Sequence, residues 1–320
     1  MKTNFHIFLS LVFIITACGD LNDKTKVGFM VHTLNDERWS IERDVFTSVI
    51  EQDGGEVLFS NAEQNERAQF HQAKKMIDAG VDAIVIVPVN SKTAASISRL
   101  CAKNDVKIIA YDIIIDNCDL DLYVSFDNVE IGRMMARYAL TRKTSGDYVL
   151  LWGDSNMKVA HWIREGQMDV LDESVKSGNI NIVYKCFVDG WSQREACHKV
   201  QKIVDYSEKD IDAYIASSDG IAAGVIESLE MSGIYDMPLI TGQDASTTAL
   251  AYIRQGRQNM SVYKSFKDLA KIAASETLKL INDQQVDYDT LLFNGRVNVK
   301  SVLLKTSIID QDNLETLALN

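Results

Sequence analysis

Only two prolines, Pro88 and Pro238, occur in 320 residues. No low-complexity stretch accompanies them, so nothing reads as a flexible linker between separate domains. Cations are also in short supply: 33 Lys and Arg stand against 45 Asp and Glu, a formal charge of −12. Nucleic-acid binding needs clustered Lys and Arg to displace counterions, and the sequence has no basic stripe. No G-x-G-x-x-G follows the first apolar run, Val27-Gly28-Phe29-Met30-Val31, whose single glycine lies inside the run. That excludes the usual dinucleotide loop. A Walker A loop and a G-x-S-x-G elbow are missing too, which removes two large enzyme classes. His32, His71, His161 and His198 show no metal-ligand spacing and no C-x-x-C occurs, so neither metal nor cofactor is expected. His71 and His161 read as residues of solvated helix faces.

Lys2, an apolar stretch from Phe5 to Ile15, and then Thr16-Ala17-Cys18-Gly19 have the order of a secretory signal. The stretch is short for a membrane span. Ile15-Thr16-Ala17-Cys18 resembles the lipobox of bacterial lipoproteins, in which the cysteine becomes the lipidated first residue. An ordinary signal with a chance cysteine is the alternative. On the lipoprotein reading, residues 1–17 are removed and residues 18–25 form the anchor and tether, holding the protein at a membrane face. Cleavage takes away Lys2 and no acid, moving the charge from −12 to −13. Four cysteines then remain, Cys101, Cys118, Cys186 and Cys197. An exported chain permits disulfides, and Cys101 with Cys118 and Cys186 with Cys197 are the local pairings. Four buried thiols packing as small apolar residues are an equal alternative.

About 300 mature residues exceed one compact core, so two lobes are expected. Short aliphatic runs at Val27–Val31, Val57–Ser60, Ala83–Val87 and Lys107–Ala110 alternate with helical stretches such as Glu66–Ala79 and Thr93–Lys103. The alternation restarts at Tyr148–Trp152 and continues to a strand at Pro238–Thr241. Runs apolar on both faces, each followed by a helix, predict parallel sheets covered on both sides. In such α/β sheets ligands bind beyond the carboxyl ends of the strands. Trp39 and Trp191 fall at matching strand ends in the two halves and read as exposed flat platforms for a thin ligand. Polar residues gather at the other strand ends: Arg38, Asp112, Asp219, Asp244 and Lys264, with Arg164 on a following helix. Aspartate accepts from adjacent hydroxyls and arginine donates in a planar fork, so together they suit vicinal diols, hence a sugar.

Seven segments, in order, closely resemble the periplasmic sugar-binding proteins of the ribose/galactose-binding superfamily, and among these the D-xylose-binding proteins of bacterial ABC importers. They are Glu37-Arg38-Trp39, Ala110-Tyr111-Asp112, Val124-Ser125-Phe126-Asp127-Asn128, Arg164-Glu165-Gly166-Gln167-Met168, Val188-Asp189-Gly190-Trp191, Gly242-Gln243-Asp244-Ala245 and Val262-Tyr263-Lys264. Ser301-Val302-Leu303-Leu304 with Asp312-Asn313 also fits, so the likeness runs from Lys26 to Asn313. It implies an α/β type I periplasmic binding protein: two Rossmann-like lobes with parallel sheets, joined by three hinge crossings. The lobes are expected at 26–127 plus 263–297 and at 128–262 plus 298–320. The crossings are expected at Phe126-Asp127-Asn128, Met260–Lys264 and Asn298–Leu304. The resemblance carries ligand contact onto Arg38, Trp39, Asp112, Arg164, Trp191, Asp219, Asp244 and Lys264.

Three departures affect that pattern. Ile113 stands where an arginine is usual, Ser218 where an asparagine is usual, and Met157-Lys158-Val159 replaces an asparagine-rich approach to the second lobe's first helix. The expectation is an exported, monomeric, lipid-anchored protein binding xylose or a related small sugar. Its partner would be an ABC permease, with a sensor histidine kinase as the alternative. A sugar hydrolase would also need flanking carboxylates, but here the aspartates are interleaved with cations that lower carboxyl pKa values. A DNA-binding regulator is disfavoured by the export signal. Asp44 and Asp127 read as cap or hinge residues without ligand contact. For Asp112, Asp219 and Asp244 an N-cap role is the competing reading, for Lys264 an ion pair across the hinge, for Arg164 a solvated helix position, and for Trp191 interlobe packing.

Overall fold

Alternate residues of the first strands are buried on opposite sides: Phe29, Val85 and Ile109 in one apolar cluster, Met30, Ile84 and Ile108 in another. That period of two, with both faces apolar, makes a sheet sandwiched between helix layers. The protein is seen here as a computed structural model that describes residues 24–34, 38–207 and 210–315. The expected signal segment, Cys18 and Glu37 lie outside the described residues.

The chain runs β1 (Lys26–Val31), α1 (Arg38–Gln52), β2 (Glu56–Asn61), α2 (Glu66–Asp78), β3 (Ala83–Ile86), α3 (Ala95–Lys103), β4 (Lys107–Tyr111) and β5 (Leu122–Phe126). It then builds a second lobe from α4 (Asn128–Arg142), β6 (Gly146–Trp152), α5 (Lys158–Lys176), β7 (Ile180–Phe187), α6 (Gln193–Tyr206), β8 (Ala213–Ala216), α7 (Asp219–Met231), β9 (Leu239–Ile240), α8 (Thr247–Arg254) and β10 (Met260–Tyr263). α9 (Phe266–Ile281), β11 (Thr290–Phe293) and β12 (Asn298–Leu304) return to the first lobe, and β13 (Ser307–Asp310) ends on the second. Seven described strands form one sheet in the order β11-β12-β5-β4-β3-β1-β2, parallel apart from β11. The second lobe has a parallel sheet ordered β7-β6-β8-β9. Beside it lies the antiparallel pair β10-β13, tied in by a bridge from Val262 to Gln243. This is the expected α/β class with two Rossmann-like lobes.

The third crossing differs from expectation. Asn298–Leu304 is not a connection but strand β12 of the first lobe, pairing with β5 from Ser301–Tyr123 to Leu304–Phe126. The open edge of β5 needs a hydrogen-bonding partner, and β12 supplies it. The chain therefore passes between lobes at Lys305-Thr306. Likewise Met260–Tyr263 is strand β10, so the second pass is Lys264-Ser265. Asp127 makes the first pass and also caps α4, its carboxylate accepting from the Glu130 amide at 3.0 Å.

All four described cysteines are free. Burial pushes the Cys101 thiol up to about 12 and Cys118 up to about 11, which keeps both protonated. Among the described residues no helix is long and apolar enough to cross a membrane.

One contact sets the position of α5 and hence of its first residues at the lobe boundary. α4 and α5 cross at Gly132 and Gly166, where a Cβ would stand 2.0 Å from the Ile163 carbonyl oxygen and 1.9 Å from that of Val129. Only hydrogen fits there, because the obstacle is backbone that cannot rotate away. Overpacking of this kind costs about 1–3 kcal/mol. Gly166→Ala is therefore expected to lower the thermal midpoint by several degrees, measured by circular dichroism, whereas Gly178→Ala, in open space at φ +77, costs only its backbone strain.

Candidate functional site

Both sheets direct their carboxyl strand ends at the boundary between the lobes. A cleft of about 620 Å³ opens there, lined from the first lobe by residues such as His32, Arg38, Trp39, Asp112 and Ile113, and from the second by Trp191, Ser218, Gln243, Asp244 and Lys264. That volume lies within the range of small-molecule sites. Among the described residues no cluster of His, Cys, Asp or Glu could hold a metal ion.

Arg38 is the centre of the arrangement. Its guanidinium lies 4.1 Å from the Trp39 ring centroid and 3.8 Å from that of Phe266. Its Nε donates to Glu42 Oε1 at 2.6 Å, one helical turn along α1, and an Nη lies 3.5 Å from Asp112. Glu42 is fully buried and also accepts from the Tyr111 hydroxyl. Burial pushes its carboxyl up to about 7, against the opposing pull of Arg38. Lys264, 6 % exposed, forms a 2.6 Å ion pair with Asp244 and lies 5.7 Å from the same Phe266 ring. Burial alone would raise Asp112, but Arg38 and Lys264 outweigh it and hold that carboxyl below its ordinary value. His32, edge-on to Trp39, is driven down to about 4 by burial, aided by Arg38, so its imidazole is neutral at pH 7.

The backbone at the cleft is strained. Asp112 (φ 61), Trp191 (φ 55) and Asp244 (φ 98) all occupy the left-handed region without being glycine. Asp112 is held there from β5: its carbonyl accepts from the hydroxyls of Tyr123 and Ser125, each at 2.9 Å. Asp244 donates its amide to Val262, and the next amide, Ala245, donates to the Ser261 hydroxyl at 3.0 Å. Such strain persists only where neighbours over-determine it, and it gathers at functional sites. Trp191 lies flat against Gly153, where a Cβ would fall 2.1 Å from the indole, and its Nε1 points at the Met157 sulfur at 3.3 Å.

The cleft brings together Arg38, Trp39, Asp112, Trp191, Asp244 and Lys264. It does not include Arg164 or Asp219. Arg164 is exposed, its guanidinium 4.9 Å from the Trp152 ring. Five residues along α5 it has turned about 140° away from Val159, which does face the cleft. The Arg164–Met168 segment matters for other reasons: Gly166 makes the α4 crossing, and buried Gln167 holds the Trp152 indole N–H at 2.9 Å and Ser217 at 3.1 Å. Asp219 points inward, 4 % exposed, accepting from Ser261 at 2.8 Å, Gln258 at 3.0 Å and the Ser246 amide at 2.8 Å. The N-cap of α7 is Ser218, and that of α8 is Ser246, so Asp219 and Asp244 are not caps. Trp39 is also not the exposed platform expected: it is 4 % exposed and one face carries Arg38.

Ile113, Ser218, Met157 and Val159 all line the cleft. Sequence reading missed His32, Asn128 and Gln243, which line it as well, and Glu42 and Phe266, which hold its cations. Gln243 and Asn128 stood inside motifs already noted. Glu42 had a signal of its own, an acid four residues after Arg38 on one helix face.

Residues 27–285 match the family model of a periplasmic binding protein domain. The chain is 34% identical to the D-xylose-binding periplasmic protein of Haemophilus influenzae, covering 90% of this chain and 87% of that one. It is 35% identical to the D-xylose-binding periplasmic protein of Escherichia coli, covering 91% and 88%. The crystal structure of an ABC transporter solute-binding protein from Clostridium phytofermentans with bound β-D-glucose superposes with a TM-score of 0.85 at 25% identity, covering 91% of this chain and 96% of that one.

Asp219 yields a pH prediction. Burial, reinforced by Asp244, pushes its carboxyl from the ordinary 3.8 to about 7. The folded protein therefore holds this proton across a window in which the unfolded chain releases it, and the stability it contributes falls as pH rises from 3.8 to about 7. Asp219→Asn removes that dependence. In paired thermal melts the variant is expected to gain on the parent steadily as pH climbs through the window, and a constant difference would contradict a raised Asp219.

Proposed function

The chain belongs to the periplasmic binding protein family, and on that premise we propose that it is an exported solute-binding protein that closes its two lobes around one monosaccharide, xylose or a related small sugar. It is a binding protein and not an enzyme. The observation carrying the sugar reading is two buried cations paired with half-buried carboxylates, Arg38–Asp112 and Lys264–Asp244, in one cleft with Trp191. Carboxylates accept from hydroxyls and the cations donate to ring and hydroxyl oxygens, while the indole covers C–H surface. The partly spent face of Trp39 positions Arg38 rather than the ligand. Arg38, Asp112, Trp191, Asp244 and Lys264 are thus the contacts, joined by Gln243, whose buried Oε1 has no hydrogen-bond partner among the described residues.

Ligand bridging both lobes favours the closed arrangement by the contacts made only there. A membrane permease of an ABC importer would then read the closed surface, as the relatives' family suggests. The anchor is Cys18 on the lipobox reading. Cys18→Ala is expected to move the protein from the membrane fraction to the soluble fraction of the cell envelope, and retention at the membrane would reject the lipid anchor.

Thermal unfolding against pentoses and hexoses tests the sugar reading. A ligand bound only by the folded form adds about 2.7 kcal/mol at one hundred times its dissociation constant, a rise of several degrees. Asp112→Ala is expected to weaken binding by at least about tenfold, the loss of charge-assisted bonds. No rise with any sugar would reject the reading.

A further inference from the structure

Part of the cleft lining is apolar, from Ile113 after β4 in the first lobe and from Met157 and Val159 at the start of α5 in the second. These three belong to one continuous apolar core, Ile113 as a buried member 7 % exposed and the other two packed against it. Asp154, which lines the cleft beside them, is already engaged by its neighbours. It accepts through Oδ1 from the Asn156 amide at 2.8 Å and its side-chain nitrogen at 3.0 Å, and through Oδ2 from the Gly190 amide at 2.7 Å. The indole N–H of Trp191 is directed at the Met157 sulfur.

Helix capping points the same way. Six helices, α2, α4, α6, α7, α8 and α9, begin with Asn, Asp or Ser whose side chain accepts an amide of the first turn. α3, which begins with Ala94, and α5, which begins with Met157, make no such bond, and of these two residues only Met157 lines the cleft. A polar cap would have stabilised α5; an apolar side chain stands in its place at the cleft. By contrast, Gln243 Oε1 and His32 Nδ1, in the same lining as the charged cluster, are buried with no hydrogen-bond partner among the described residues.

From this division we infer that the ligand presents an apolar edge to Ile113, Met157 and Val159, and that it is a 6-deoxyhexose whose methyl group takes the place of a hydroxymethyl. The inference rests on the monosaccharide reading of the same cleft. A hydroxyl held against these three side chains is stripped of water and finds no partner among them, which lowers affinity by roughly 5- to 150-fold.

Isothermal titration of the protein with matched pairs tests it: L-fucose against L-galactose, L-rhamnose against L-mannose, D-fucose against D-galactose and D-quinovose against D-glucose, with D-xylose alongside. In the pair that binds, the deoxy member is expected to bind at least about fivefold tighter than its hydroxylated parent and tighter than xylose. Val159→Asn, checked for folding by its melting curve, is expected to erase that preference. Equal or tighter binding of the parent, or of xylose, overturns the inference while the sugar-binding reading stands. Absence of binding by every sugar overturns both.

Discussion

Burying two cations at the junction of two lobes imposes the main constraint on this protein. Arg38 and Lys264 are each less than a tenth exposed, and an unpaired charge in such a place would be prohibitively costly. Glu42, Asp112 and Asp244 answer them, and the Phe266 ring stands beside both. The carboxylates come from α1, from the end of β4 and from the loop after β9, while Phe266 opens α9. One electrostatic cluster therefore ties together both lobes and one of the crossings. Replacing either cation would leave carboxylates buried without compensation, which is why such groups act as a unit.

Holding the carboxylates on target takes a second set of residues that never reach the cleft. Tyr123 and Ser125 fix the left-handed turn at Asp112 from the neighbouring strand, and Ser261 with Val262 does the same for the turn after Asp244. Asp219 belongs to this scaffold, gathering Ser246, Gln258 and Ser261 into one buried network. Its high proton affinity is the consequence of burial without a cation, in contrast to Asp112, which burial and cations pull in opposite directions. Two carboxylates at equivalent strand ends thus end with opposite shifts, and their surroundings alone decide which is scaffold and which faces the ligand.

The cleft lining is mixed. Charged groups line it together with the aliphatic side chains of Ile113, Met157 and Val159, and the Trp191 indole N–H is directed at Met157. Specificity follows from what each kind of side chain leaves unpaired in the wrong ligand, since an unmatched buried polar group discriminates more strongly than a missing methylene. The crossings are short, at Asp127, Lys264-Ser265 and Lys305-Thr306. On the proposed reading, the lobes respond to the ligand through contacts made only on closure.

Helix and strand positions were legible in the chain, because a period of two or of 3.6 in apolar residues is a local property that each segment carries by itself. The parallel class and the placement of candidate residues at strand ends followed from it, and Arg38, Asp112, Trp191, Asp244 and Lys264 line one cleft. Which lobe takes β12 depended on the free edge of β5, a pairing more than 170 residues distant in the register of Ser301 with Tyr123. Nothing local to Asn298–Leu304 distinguishes a strand from a crossing. The inward turn of Asp219, the outward face of Arg164 and the covering of Trp39 by Arg38 were likewise settled by contacts from other elements. Residue type and spacing determined where each side chain starts; only the tertiary packing decided where it points, because a strand-end side chain takes its direction from backbone turns that distant hydroxyls and charges hold in place.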